Sequence, residues 1–435
     1  MIGVSPFGGA ALWLDNPARL DLVGKRDTTM TDTIQEPARQ TPVAADVDVV
    51  VAGGGPAGIA AALASARQGA RTLLVERYGY LGGMITGAYV VAILGVGDGH
   101  VPKARGIVAD IRERLEPLGA VKAISNCGDY KVDAETFKWQ ALEMLLEAGV
   151  RVRLHTQACE TIVRDGRVTG ILTESKSGRE AFLAKVVVDA SADADLIHRA
   201  GGACDNQTHE ITLGFEIEGV DRDRLEAFRR ASPAEYEAIA VEAADLNGGK
   251  LPGNSRLLKW VDVTDAEALS QAEIRLRREG FRALAVLKEQ LPGYENARVA
   301  LTWPQLGVRL SRRMRGQYVL VDDDLSSSRH FDDGIARLGV YFPDWGPTYQ
   351  VKGLDYDIPY RALVPERLDG ILSCGRCISC DPIAGNTMRL LVPCLVTGQA
   401  AGVAAALAVQ DRCLPRAIAV DKLRAALWGQ DVWLG

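Results

Sequence analysis

Residues 47–76 constrain this chain more than any other segment. "VDVVVA" (47–52) is a short β-branched run of the kind buried in a parallel strand. "GGGPAG" follows from Gly53 to Gly58, then the alanine-rich "IAAALASARQG" ending at Gly69, then "RTLLVE" ending at Glu76. Strand, glycine turn, helix, strand and terminal acid within about 30 residues read as a nucleotide-binding βαβ unit. Gly53 lets the strand turn, Gly55 clears the backbone for a pyrophosphate, and Gly58 lets the helix close onto the sheet. Pro56 and Ala57 stand at the helix N-terminus, where unpaired N–H groups and the positive dipole end face the phosphates. Glu76 stands where a carboxylate accepts hydrogen bonds from both ribose hydroxyls and repels a 2′-phosphate, which disfavours NADP.

The motif alone leaves FAD and NAD both open. Arg77 opens "RYGYLGGMITG" (77–87), in which Gly82, Gly83 and Met84 form a glycine-rich segment just past the second strand. An FAD-binding fold runs beside its extended cofactor at that place, although a plain surface loop has the same composition.

The rest of the chain divides by texture. Residues 1–45 lack periodicity and read as a flexible extension, with residues 1–29 expected to be an upstream addition ahead of Met30. Residues 46–204 hold the βαβ unit, a helix over 134–148 ended by Gly149, a strand "VRVRLHT", a β-meander over 158–184, and a further buried strand "KVVVDAS" at 185–191. Residues 205–345 are more charged, with amphipathic helices at 222–245 and 265–290. They read as an inserted α+β substrate or cap domain. Residues 346–435 return to the first texture and end in a small-residue helix, 391–410, expected to start near Asn386. The fold class is α/β: a Rossmann-like domain with a parallel sheet and β-meander, plus the insert.

Composition narrows the function classes. The chain is 47% hydrophobic and 24% charged with a formal net charge of −6, which disfavours a nucleic-acid surface. No apolar run is read as approaching the ~20 residues of a membrane span. Eight scattered cysteines in 435 residues suit free thiols and a cytoplasmic setting. Cys374, Cys377 and Cys380 stand three apart, which raises an iron–sulfur cluster or a flavin-coupled thiol. The run lacks a fourth ligand in a loop, since Cys394 falls inside the expected helix. No metal is expected, and small buried residues are the favoured reading.

At these motifs the chain resembles the FAD-dependent oxidoreductases of the glutathione-reductase-type fold. It is most similar to a bacterial branch distantly related to the fumarate reductase and ketosteroid dehydrogenase flavoproteins. The resemblance runs over about residues 46–410. It rests on "GGGPAGIAAA" with Glu76, "LGGMITG", "VDASADADL" (188–196), "LGVRLSRRMRG" (306–316) and "IPYRALVP…GRCIS…AGNTMR…TGQAAGVAAALA". It implies FAD as cofactor, held by a discontinuous domain, with Asp193, Gly375, Arg376, Asn386 and Arg389 near it. The chain departs from the wider Thr-Gly-Asp pattern at Ser191, Ala192 and Asp193, which leaves the contacts of that segment open. The implied activity is hydride transfer from a small organic substrate to flavin N5, as a dehydrogenase or oxidase. A flavin monooxygenase and an FAD-carrying electron-transfer subunit remain alternatives, and a homo-oligomer is left open.

Candidate catalytic groups are few. "VRLSRRMRG" would place Arg309, Ser311 and Arg313 on one strand face, suited to a carboxylate or phosphate. A salt-bridged strand is the plainer alternative. His209 precedes the strand "ITLGFEIEG" and is a candidate general base, against a structural role. His100 is a candidate for a covalent flavin link. Tyr341, Tyr349, Tyr360 and Arg361 are candidates for the cleft at the domain junction.

Overall fold

The β-branched run becomes the centre of a mixed sheet. The computed structural model describes residues 33–97, 103–245, 256–343 and 353–435. The described residues from 42 to 435 form one compact unit. Residues 33–41, which lie outside it, adopt neither helix nor strand, and the expectation for residues 1–29 lies outside the described residues.

Val43–Ala52 pairs in parallel with Thr72–Val75 on one side and with Gly178–Asp189 on the other. Thr72–Val75 pairs in parallel with Arg151–Arg153. Val49, Val50 and Val51 are fully buried, as a continuous apolar strand covered on both faces requires. The meander is Gln157–Arg164, Arg167–Ser175 and the first half of Gly178–Asp189, all antiparallel. The expected separate strand at 185–191 is a continuation of that same strand. No glycine or proline interrupts residues 179–189, so nothing breaks it. Its end pairs with Ile371–Ser373, so the seven-stranded sheet draws on both ends of the chain.

The dinucleotide helix Pro56–Arg67 lies against the helix Leu391–Gln410. Gly398 and Gly402 of the second face Ala57 and Ala61 of the first, each pair four residues apart and so on one helical face. A Cβ on either glycine would fall 2.8 Å from the carbonyl carbon of its partner, so the two backbones touch. Leu391–Gln410 also corrects the expectation about apolar runs. It is long and apolar enough to cross a membrane by length and composition, yet every residue from Leu391 to Ala408 is buried within the protein. Its start differs from expectation too. Asn386 belongs to a separate short helix, Pro382–Met388, where Asp381 Oδ1 accepts from the N–H groups of Ile383 and Ala384.

Among the described residues, three small antiparallel sheets form within residues 204–314. Cys204–Asp205 pairs with Arg313–Met314, and Phe215–Glu218 pairs with Arg298–Thr302. His209–Leu213 pairs with Arg256–Val261 and with Gly307–Val308. The helix Ala266–Gln290 covers the second and third of these through Ala272 and Leu276, which pack with Ile211, Leu213 and Phe215. The expected strand "ITLGFEIEG" breaks at Gly214, where the Trp303 ring occupies the space a side chain would need. The expected helix 222–245 breaks at Ser232, ahead of Pro233, into Arg222–Ala231 and Pro233–Asp245.

Candidate active site

One cleft opens where the first strand ends. At its nucleotide end Gly53 has φ +110, and a Cβ there would lie 2.8 Å from the Ala190 carbonyl carbon. Gly58 would meet the Gly53 carbonyl carbon at 2.9 Å, so it permits the helix to close on the turn. Gly55 differs. A Cβ there meets nothing nearer than Gly83 Cα at 3.9 Å, so the space it clears is cleft. No described side chain caps the N-terminus of Pro56–Arg67, and its first N–H groups are left for an anion.

Glu76 is buried and fixed by the backbone. Its Oε2 accepts from Gly54 N at 2.6 Å and its Oε1 from Tyr78 N at 2.8 Å. Each oxygen keeps a lone pair for a further donor. Arg77 lies over the Tyr78 ring, 4.8 Å from its centroid, and both residues line the cleft.

The middle of the cleft is tied by Arg376. Its Nη2 donates to Asp193 Oδ1 at 2.5 Å, its Nε to Ala192 O at 2.9 Å, and its Nη1 to Val308 O at 2.9 Å. Asp193 also accepts from Ser311 Oγ. One guanidinium thus joins the C-terminal GR turn, the "SADAD" segment and the strand Gly307–Val308. Asp195, on the same wall, is pushed up to about 6, first by burial and then by repulsion from Asp193 and Asp189.

Thr212, Trp303, Gln305 and Arg309 also line the cleft, with Met84, Val90, Arg389 and Leu391. Arg309 forms an ion pair with Glu210. Burial lowers the pKa of Arg389, and the nearby cations Arg309 and Arg376 lower it further. An anion between these arginines would relieve that repulsion.

Of the sequence candidates, Gly53, Gly55, Pro56, Ala57, Glu76, Arg77, Gly83, Met84, Asp193, Arg309, Gly375, Arg376 and Arg389 line the cleft. Gly58, Gly82, Asn386, His209 and Arg313 stand off its wall. Gly82 shapes the turn before Gly83, with φ +106. Asn386 Nδ2 donates to Pro343 O at 3.0 Å. His209 sits in the Glu210 region, where burial and then Arg389 and Arg309 lower its pKa. The shared face expected for Arg309, Ser311 and Arg313 does not form. One ladder ends at Val308 and a different one begins at Arg313, so the alternation is lost. Arg313 instead donates to Cys380 O at 3.0 Å and to Gln207. Tyr341, Tyr360 and Arg361 also lie off the cleft, bonded to Asp322, Pro415 O and Asp333. Tyr349 and His100 lie outside the described residues.

The cysteine run is a strand end and a turn. Gly375, at φ +78, follows Cys374, and its N–H donates to Thr397 Oγ1 at 3.1 Å. Cys374, Cys377, Cys380 and Cys394 are buried free thiols, and burial raises all four, Cys380 and Cys394 to about 12. Among the described residues no group of three or more His, Cys, Asp or Glu side chains could hold a metal ion.

Thr212, Trp303 and Gln305 have no counterpart among the sequence candidates. "LTWPQLG" carries no periodic or charged signal. These residues reach the cleft only because Trp303 N bonds Gly214 O and Gln305 N bonds Gly87 O, both across long sequence gaps.

A glycine-cleared turn, a helix N-terminus, a buried carboxylate and a lined cleft beside them suit a bound dinucleotide. Residues 48–427 match the FAD dependent oxidoreductase family, and the chain belongs to it. It is an FAD-dependent oxidoreductase, and FAD is its cofactor. The residues fit that group. The Gly55 turn would hold the pyrophosphate and Glu76 the ribose, and the cleft continues past Asp193 and Gly375 to Met84 and Leu391.

Digeranylgeranylglycerophospholipid reductase of Methanocella arvoryzae is 30% identical over 164 residues, covering 36% of this chain and 42% of that protein. Thiamine thiazole synthase of Aeropyrum pernix is 35% identical over 127 residues, covering 29% and 43%. The chain thus spans about two fifths of the length of these curated relatives. Among solved structures, p-nitrophenol 4-monooxygenase from Pseudomonas putida DLL-E4 aligns with a TM-score of 0.46 and 13% identity, covering 90% of this chain and 89% of that one.

Proposed function

We propose that the chain is a dehydrogenase or oxidase acting on a small organic anion. The observation that carries this reading is the pair Arg309 and Arg389 on the wall of the cleft, beyond the nucleotide end. Bound FAD supplies the two-electron chemistry by taking up hydride from the substrate. The chain's part is to hold and orient. Two guanidinium groups suit a carboxylate, whose charge offsets the repulsion that lowers the pKa of Arg389. Trp303, Val90 and Met84 offer apolar surface for the rest of the molecule and keep water from it. The N-terminus of Leu391–Gln410, uncapped by any described side chain, reaches the same cleft and favours negative charge there. The glutathione-reductase-type lineage is part of the reading, supported by the parallel strands and meander around one glycine turn.

The test is an anaerobic titration of the yellow holoenzyme with small carboxylic acids and their amides. Bleaching of the flavin by acids but not amides, lost in Arg389→Gln, is expected. Reduction only by NADH or NADPH, followed by oxygen insertion into an aromatic ring, would replace this reading with a monooxygenase.

A further inference from the structure

The ion pair of Arg309 and Glu210 is set by strand register. Ile211 pairs with Val308 and Thr212 with Gly307, antiparallel. One step past that ladder Glu210 stands opposite Arg309, and the guanidinium donates to its carboxylate. Arg309 lines the cleft. Its side chain is 11% exposed and that of Glu210 26%, so solvent screens the pair only in part. Burial lowers the pKa of Arg309, and Glu210 opposes that shift. Burial and then Arg309 lower the pKa of Arg389, and Glu210 opposes that shift too. The negative charge of Glu210 is therefore felt at both arginines of the anion site. A mostly buried ion pair contributes little net stability, because desolvating two charges offsets their attraction. Stability alone thus does not explain a carboxylate at this position.

We propose that Glu210 sets the charge of the substrate: with its carboxylate held on Arg309, the cleft takes acids that carry one negative charge and disfavours those that carry two. The inference rests on the small-anion reading above and narrows it to monocarboxylic acids. The first carboxylate of a bound acid gains from the two guanidinium groups. A second carboxylate on the same molecule finds their charge already offset, by the first and by Glu210, and is repelled by both. A neutral group of the same size escapes that repulsion, so Glu210 acts as a repulsive element that sorts acids by charge.

The experiment compares succinate with its monoamide succinamate, and glutarate with glutaramate, on the holoenzyme at about pH 7.5, where every carboxyl is ionised. The members of each pair match in size and differ by one charge. Half-saturation is read from anaerobic bleaching or, for inert acids, from the shift of the oxidised flavin spectrum. The wild type is expected to bind at least one monoamide about tenfold more tightly than its diacid. Glu210→Gln keeps the length without the charge and should bring that pair to within about threefold. Glu210→Asp keeps the charge and should keep the preference. A wild type that binds the diacids as tightly as the monoamides overturns the inference without any variant having to fold. Equal weakening of both members in Glu210→Gln, the result expected if Glu210 only positions Arg309, overturns it as well. A preference lost alike in Glu210→Gln and Glu210→Asp ties it to shape and not to charge, and also overturns it. In each of these cases the small-anion reading stands, whereas failure of every acid to perturb the flavin overturns both readings.

Discussion

Gly402→Ala asks whether the two central helices truly touch. Helix propensity alone makes the change favourable, because alanine in a helix interior is better than glycine by about 1 kcal/mol. Packing predicts the opposite sign. The new methyl would lie 2.8 Å from the Ala61 carbonyl carbon and 2.9 Å from its Cα, in a helix buried along nearly its whole length. Both contacts are to backbone, so relief requires moving a helix. Overpacking of this kind costs about 1–3 kcal/mol and occasionally more, which exceeds the propensity gain. Gly429 is the control. It ends the helix Val420–Gly429, and an added Cβ there meets nothing within 4 Å. Thermal unfolding of the FAD-free protein should show Gly402→Ala lowered by several degrees and Gly429→Ala unchanged or raised. Gly398→Ala should lose stability similarly and also weaken FAD retention, because its partner Ala57 stands in the phosphate turn. A Gly402→Ala variant as stable as the parent would refute the backbone contact.

Glu76→Ala removes the acceptor of two backbone N–H groups and the ribose-facing carboxylate, so FAD dissociation measured by fluorescence should rise at least about tenfold. Arg376→Gln strips Asp193 of its cation in a buried setting and should cost about 3 kcal/mol in denaturant unfolding, whereas a loss below about 1 kcal/mol would mean that solvent screens the pair. Asp195 is raised to about 6 by burial and neighbouring carboxylates, so its contribution is full below about pH 4 and lost as pH rises through about 6. Relative to wild type, Asp195→Asn should therefore gain stability across that window, and a pH-independent difference counts against the assignment. Cys377→Ser should leave the flavin spectrum unchanged while lowering stability, since the thiol lies buried and bonded to Cys374 O at 3.4 Å.

The nucleotide half was legible because its chemistry is backbone chemistry. A strand that turns at φ +110 and a helix that closes on that turn leave room only for glycine, so Gly53 and Gly58 show in the sequence itself. The arginine cluster misled because alternation holds only within a ladder, and one ladder ends at Val308 before a different one begins at Arg313. The helix start was misplaced because Asp381-Pro382, an N-cap followed by proline, went unread as a start signal. Trp303 and Gln305 were invisible for a different reason. Their places depend on Gly214 and Gly87, which meet them only after the sheets assemble.

The strand Gly178–Asp189 touches three partners: the first strand along one edge, the meander and Ile371–Ser373 along the other. The glycine turn is likewise backed by Leu391–Gln410, made near the end of the chain. A ribosome therefore releases the glycine motif long before the segments that hold it in shape. Contacts of such separation close slowly and leave sheet edges bare meanwhile. A cofactor bound across both halves would then fasten the finished fold, and cellular flavin supply would bear on how much of this protein survives synthesis.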